Sequence, residues 1–166
     1  MSRLTTIHIR NQYLKFSAGH FTIFSATERE RLHGHNFAAT ADVTAPVGDD
    51  GLCFDYNIVK KALRRLCDSL DEYVLIAGRS SHLTVTERSG EYQINFAEET
   101  LKLPVTDTLI LPLANITAEE LSWWLATRLL EDDTIQNHDI RALTVTISSG
   151  YGQAGSTQWT IEGGFA

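Results

Sequence analysis

The sequence predicts an α+β domain with a mainly antiparallel sheet, and three observations carry that reading. Two segments have helical apolar spacing, and β-rich segments lie before, between and after them. No self-similarity with a period of 20–50 residues suggests a solenoid or array. At 166 residues the chain is long enough for one compact core and cramped for two, so a single domain over 1–166 is expected.

Each element has its own signal. "LTTIHIR" and "YLKFSAG" read as strands separated by a turn at Asn11-Gln12. A loop through 25–31 precedes "HNFAATADVTA", a strand ended by Pro46 and the turn "VGDDG". Ile58, Val59, Ala62, Leu63, Leu66 and Leu70 make one helical face, with Asp55 placed to cap its start. A second helix begins at "NITAEEL", where Thr117 and Glu120 fit a capping box and Leu121, Trp124, Leu125 and Leu129 form the buried stripe. Between the helices, "HLTVTERSGEYQINFAEETLKLP" alternates about Ser89-Gly90, a hairpin signal inside a β insertion. "ALTVTISS" and "STQWTIEGG" close the chain as two strands joined by "GYGQAG".

Composition narrows the functions. A formal net charge of −7 argues against binding a nucleic-acid backbone, which calls for a basic surface. Neither a signal-like N-terminus nor an apolar run of membrane-spanning length is present, so a cytoplasmic protein without a membrane partner is expected. Two cysteines, Cys53 and Cys67, are too few for a disulfide framework and are expected to pack as small hydrophobes. Gly150, Gly152 and Gly155 spell G-x-G-x-x-G, but a strand-like segment follows where a dinucleotide site needs a helix. A turn between antiparallel strands is the better reading.

The chemistry concentrates in "RERLHGHNF". Residues two apart on a strand share a face, so His33 and His35 can address one ion. His20, ending "FSAGH" at the close of the preceding strand, is the natural third ligand of a catalytic zinc site, which takes three protein ligands and keeps one position open. On residue chemistry alone, a metal site and ordinary surface or core histidines remain alternatives. Glu30 is either a base beside the metal or one charge in the solvated run "ERER". His8, His82 and His138 lack partner spacing and read as structural or exposed.

Several motifs together resemble the 6-pyruvoyltetrahydropterin synthase and 6-carboxytetrahydropterin synthase superfamily. "FSAGH" looks like its F-x-A-x-H strand end and "LHGHNF" like its H-G-H strand. "GLCFDYNIVKKAL" is similar to its entry into the first helix, "SLDEYVL" to its L-D-H-x-x-L, and "NITAEELSWWLA" to its N-P-T-x-E helix start. The resemblance spans nearly the whole chain outside an insertion at about 78–111. It implies a tunnelling (T-fold) domain with two helices on one face of the sheet. It also implies His20, His33 and His35 as zinc ligands, a small pterin substrate, and homo-oligomers, usually hexamers, with active sites at subunit interfaces.

The chain departs from that pattern at three places. No cysteine precedes H-G-H; "ERLHGH" instead fits the E-x-x-H-G-H form, in which glutamate replaces it. Members of that form cleave the side chain of 7,8-dihydroneopterin triphosphate to 6-hydroxymethyl-7,8-dihydropterin. Glu72 stands where the family's dyad histidine follows L-D, with Asp71 retained. Ser148 or Ser149 stands where a glutamate anchors the pterin ring, leaving Gln153 or Glu162 as substitutes. The implied catalytic group is therefore Glu30, Asp71 and Glu72, with Ser148, Ser149 and Gln153 at the substrate. A 6-carboxytetrahydropterin synthase, on the route to 7-deazaguanines such as queuosine, and a non-catalytic zinc-binding homologue are the alternatives. If Glu30 is the base, burial or a like charge such as Glu72 is expected to raise its pKa toward neutral.

Overall fold

The computed structural model describes residues 3–166. Strand β3 (His33–Pro46) is the spine of the main sheet. Strands β1 (Leu4–Ile9) and β2 (Lys15–His20) do not pair with each other; they lie end to end along one edge of β3, opposite residues 41–46 and 33–38 respectively. The Asn11 turn is therefore a jog within one interrupted edge. β9 (Ala142–Gly150) takes the other edge of β3, followed by β10 (Gln153–Thr160) and the short β11 (Gly164–Phe165).

Beyond β2 the pairing changes sense. β4 (Tyr73–Ala77) runs parallel to β2, and β8 (Thr108–Leu111) runs parallel to β4. The sheet is thus antiparallel through its larger part and parallel at one end. β8 falls inside the stretch expected as insertion, so the separate unit is shorter. It is a three-stranded meander of β5 (Thr84–Arg88), β6 (Glu91–Phe96) and β7 (Glu99–Pro104), followed by a single 3-10 turn. Ser89 and Gly90 both adopt positive φ, as the predicted two-residue hairpin turn requires.

The helices α1 (Asn57–Asp68) and α2 (Ala118–Leu130) bury the stripes their periodicity marks. Val59, Ala62, Leu63 and Cys67 meet Leu121, Leu125, Ala126 and Leu129 in the main core. The sheet contributes the alternate β3 residues Phe37, Ala39, Ala41, Val43 and Ala45. Asp55 caps α1 from just outside it, its carboxylate accepting the Asn57 N–H at 3.0 Å. Thr117 caps α2 as expected, accepting the Glu120 N–H at 3.3 Å. The capping box is only half formed, because the Glu120 carboxylate accepts the N–H of Ala114 instead. A short helix α3 (Asp133–Gln136), not evident from periodicity, follows with Asp132 as its cap.

Cys67 is fully buried, and burial pushes its thiol up to about 12, which keeps it an inert hydrophobe; Cys53 is half-buried. A second, smaller core of Phe21, Ile23, Ile76, Ile94 and Phe96 joins the loop after β2 to the meander. Among the described residues no helix is long and apolar enough to cross a membrane.

Candidate metal centre and active site

Strand register assembles the centre. In the antiparallel β2–β3 pair His20 stands opposite His33, and His35 stands opposite Ala18 one pleat further on. All three side chains share the face that carries Phe37, with ring centroids 4.7 Å (His20–His33), 5.2 Å (His20–His35) and 4.8 Å (His33–His35) apart. One nitrogen from each ring lies within 4.8 Å of the others, and the Nε2 atoms of His33 and His35 are 3.0 Å apart.

Backbone carbonyls fix which nitrogens face inward. His20 Nδ1–H donates to the Ile116 carbonyl at 2.9 Å, and His33 Nδ1–H donates to the Arg31 carbonyl at 2.8 Å. A carbonyl only accepts, so Nδ1 holds the proton and Nε2 presents its lone pair. His20 is 5 % exposed, and its Nε2 is buried without a hydrogen-bond partner. Such an orphan is costly unless something binds it. Burial, reinforced by the neighbouring His33 and His35, lowers the pKa of His20 despite the Ile116 hydrogen bond, so the ring is neutral and able to coordinate. Three imidazoles converging on one point, two of them oriented by a carbonyl on the second nitrogen, are a donor set that fits zinc.

Glu30 reaches the same place from the loop between β2 and β3. Its Oε2 lies 4.0 Å from His33 Nε2 and accepts the Thr22 N–H at 3.0 Å, while its own N–H donates to the Thr22 carbonyl at 2.8 Å. Partial burial pushes its pKa up, but the hydrogen bonds from Thr22 and the proximity of His33 and His20 outweigh it and hold the carboxyl below its ordinary value. The expected rise toward neutral is overturned. Glu30 is a standing carboxylate, because its hydrogen-bond donors act on the charged form.

A cleft of about 350 Å³ opens over the histidines, lined in part by Glu30, Glu119, Ser149 and Gln153. The serine pair divides. β10 residues Gln153 and Ala154 pair with Gly150 and Ser148, so Ser149 is the extra residue of a β-bulge, and it lines the cleft. Ser148 continues the outward-facing alternation of β9 and is not among the lining residues. Glu162 lies at the far end of the sheet, beside Leu4, Thr44 and Arg141, and does not line this cleft within one subunit.

Asp71 and Glu72 are not brought to the histidines within one subunit. Asp71 Oδ1 accepts the Ser17 N–H at 2.7 Å, and the Glu72 N–H donates to the Ser17 carbonyl at 2.7 Å. Both residues line depressions beside Ser17 and Asn36, whose side chains alternation puts across the sheet from the histidine rings. Glu72 therefore supplies no like charge to Glu30. Glu72 has φ of 64°, an uncommon conformation for a non-glycine residue and one often kept at functional positions.

Sequence reasoning missed Glu119, which lies in the first turn of α2 and lines the cleft. Its one available signal was its place two residues after the cap Thr117. It also missed Asn115, whose amide brackets Ile23 by accepting its N–H at 3.1 Å and donating to its carbonyl at 2.8 Å. His8 pairs with Asp42, His138 stacks near Phe54 and His82 is exposed, so none joins the cluster.

Fold and site together define an α+β protein with a cluster of three histidines, able to hold a metal ion, at the end of a strand pair. The chain belongs to the 6-pyruvoyl tetrahydropterin synthase family, whose model matches residues 9–155. A provisionally named 6-carboxy-5,6,7,8-tetrahydropterin synthase of Methanocaldococcus jannaschii is 26% identical over 144 residues, 84% of this chain and 86% of that one. The crystal structure of Plasmodium vivax 6-pyruvoyl tetrahydropterin synthase has the same fold, with a TM-score of 0.89, 23% identity, and coverage of 96% and 99% of the two chains. A variant of that Plasmodium vivax enzyme, with a catalytic glutamate replaced by cysteine, matches with a TM-score of 0.90, 22% identity and the same coverage. The fold is the tunnelling fold expected from the motifs.

Proposed function

We propose that the protein is a zinc-dependent lyase that cleaves the side chain of 7,8-dihydroneopterin triphosphate, giving 6-hydroxymethyl-7,8-dihydropterin. The observation that carries the reading is the Glu30 carboxylate 4.0 Å from the inward-facing Nε2 of His33, one member of the three-histidine cluster. His20, His33 and His35 would hold the ion, which when bound supplies Lewis acidity toward side-chain hydroxyls. The glutamate named as catalytic in the Plasmodium vivax variant supports giving Glu30 the role that other members give to cysteine.

The chain's own groups divide the work. Glu30, already a carboxylate, accepts the proton of a side-chain hydroxyl; that carbon becomes a carbonyl, and the carbon–carbon bond to the ring-proximal carbon breaks. The electron pair passes into the conjugated C6–N5 imine of the dihydropterin and is quenched by a proton, leaving the hydroxymethyl group. Ser149, Gln153 and Glu119 line the cleft where the ring would lie, and the Glu119 carboxylate suits the N–H donors of an aminopyrimidinone. Asp71 and Glu72 can reach this chemistry only from a neighbouring subunit, so a catalytic part for them goes with a proposed hexameric assembly.

The second reading is a 6-carboxytetrahydropterin synthase, favoured by the name of the Methanocaldococcus jannaschii relative. Zinc-loaded protein incubated with 7,8-dihydroneopterin triphosphate separates the two by chromatography. The first reading expects 6-hydroxymethyl-7,8-dihydropterin as product. 6-Carboxytetrahydropterin alone would transfer the function to the second, and no turnover of either kind would leave only a zinc-binding homologue.

A further inference from the structure

The residue beside Glu30 reaches away from the metal site and into the β5–β7 meander. Arg29 donates through Nη1 to the carbonyl of Glu30 at 2.8 Å, and its Nη2 forms an ion pair with Glu99. Its guanidinium lies 4.9 Å from the ring centre of Phe21 and 5.7 Å from that of Phe96. Only 15% of the Arg29 side chain is exposed. Phe96 and Glu99 are paired across the two-residue tip of the β6–β7 hairpin, so one hairpin tip supplies both an aromatic face and the counter-charge. Two further ties hold the same loop: the isolated bridge between Ile23 and Arg29, and the paired hydrogen bonds of Glu30 with Thr22.

We infer that the β5–β7 insertion is a clamp for the loop that carries Glu30, acting through Arg29 as a positioning residue. The inference rests on the reading of Glu30 as the base and gives the insertion a part in that chemistry. The planar fork of Arg29 is what allows one side chain to stack between two rings while donating to a carbonyl and a carboxylate; lysine cannot reproduce it. The magnitudes separate positioning from general support. Glu99 is 62% exposed, and so solvated a pair adds little to stability. Misplacing a catalytic group by about 1 Å can nevertheless cost up to about 10²-fold in rate.

The test uses zinc-loaded protein carrying Glu99→Ala or Arg29→Lys, each alone and combined with Glu30→Gln. Glu99→Ala leaves the core untouched, so its fold is secure. The expected result is a loss of about tenfold in kcat with KM, zinc content and Tm nearly unchanged, and no further loss on the Glu30→Gln background, since coupled residues are not additive. Amide hydrogen exchange at residues 28–31 should quicken in Glu99→Ala, a readout independent of turnover. Wild-type kcat and exchange in Glu99→Ala, beside a crippled Glu30→Gln, would overturn the clamp alone. Equal losses on both backgrounds would overturn it too, by making Arg29 merely structural. Full activity in Glu30→Gln would remove the reading beneath it.

Discussion

His20 and His33 face each other across the β2–β3 pair with their rings 4.7 Å apart, and each has its Nδ1 proton committed to a backbone carbonyl. Their Nε2 lone pairs are thereby aimed before any ligand arrives. About one zinc per subunit is expected in the purified wild type. His33→Ala should lose most of it, because an open catalytic site has only three protein ligands. Elemental analysis of both proteins checks this; equal metal in the two would sink the assignment.

Glu30→Gln is nearly isosteric and keeps the backbone hydrogen bond from the residue-30 N–H to the Thr22 carbonyl, so zinc content and fold should be preserved. Turnover should fall about 10²-fold or more, the usual contribution of a general base. Steady-state kinetics on 7,8-dihydroneopterin triphosphate measures it. Undiminished turnover would return Glu30 to the solvated charge run.

Gly155 is fixed by close approach. A Cβ there would sit 2.9 Å from the backbone carbon of Ala118 and 2.9 Å from the N atom of Glu119. Backbone cannot rotate aside as a side chain can, so Gly155→Ala should push the start of α2 off β10. A loss of about 1–3 kcal/mol is expected, read as a lower urea midpoint at unchanged slope. An unshifted midpoint would mean that α2 moves freely.

Asp132 supplies a pH-dependent contribution. The Thr134 hydroxyl and N–H, then the Arg65 guanidinium at 2.7 Å, hold its carboxyl below the usual range despite partial burial. A depressed folded pKa gives stability that is full above the unfolded value of about 3.9 and disappears as pH falls through the lower folded value. Asp132→Ala should therefore cost about 1 kcal/mol near neutral pH, with the cap and ion pair lost together, and progressively less below about pH 4. Urea melts of both proteins at neutral pH and near pH 3 check it; a gap independent of pH would exclude the carboxylate as the cause.

A homo-oligomer, expected to be a hexamer, follows from the proposed assembly. β8 and β10–β11 end the main sheet with unpaired edges, a liability in a lone subunit. Multi-angle light scattering at micromolar concentration should give about six times the subunit mass. A well-behaved monomer would refute the assembly and with it any catalytic part for Asp71 and Glu72.

The pattern-bearing parts were legible in the sequence. Helical spacing marked α1 and α2, alternation marked β3 and β9, and H-x-H two apart on a strand put His33 and His35 on one face, because these signals are local. Whatever depends on pairing between distant segments emerged in the folded chain. Alternation cannot tell a strand's partner, so the parallel β4 and β8, and the end-to-end placing of β1 and β2, were hidden. One bulged residue, invisible in composition, separates Ser149 from Ser148 in the cleft. The direction of the Glu30 pKa is not legible in sequence, because it is set by hydrogen bonds from Thr22, eight residues away, and by the proximity of His33 and His20. Glu119 and Arg29 owe their places to packing across the sheet and the insertion, where no periodicity reports contact. The sequence determined which chemical groups are present and which face carries them, because side-chain direction is local; three-dimensional closure decided which of them meet, because contact between distant segments is not.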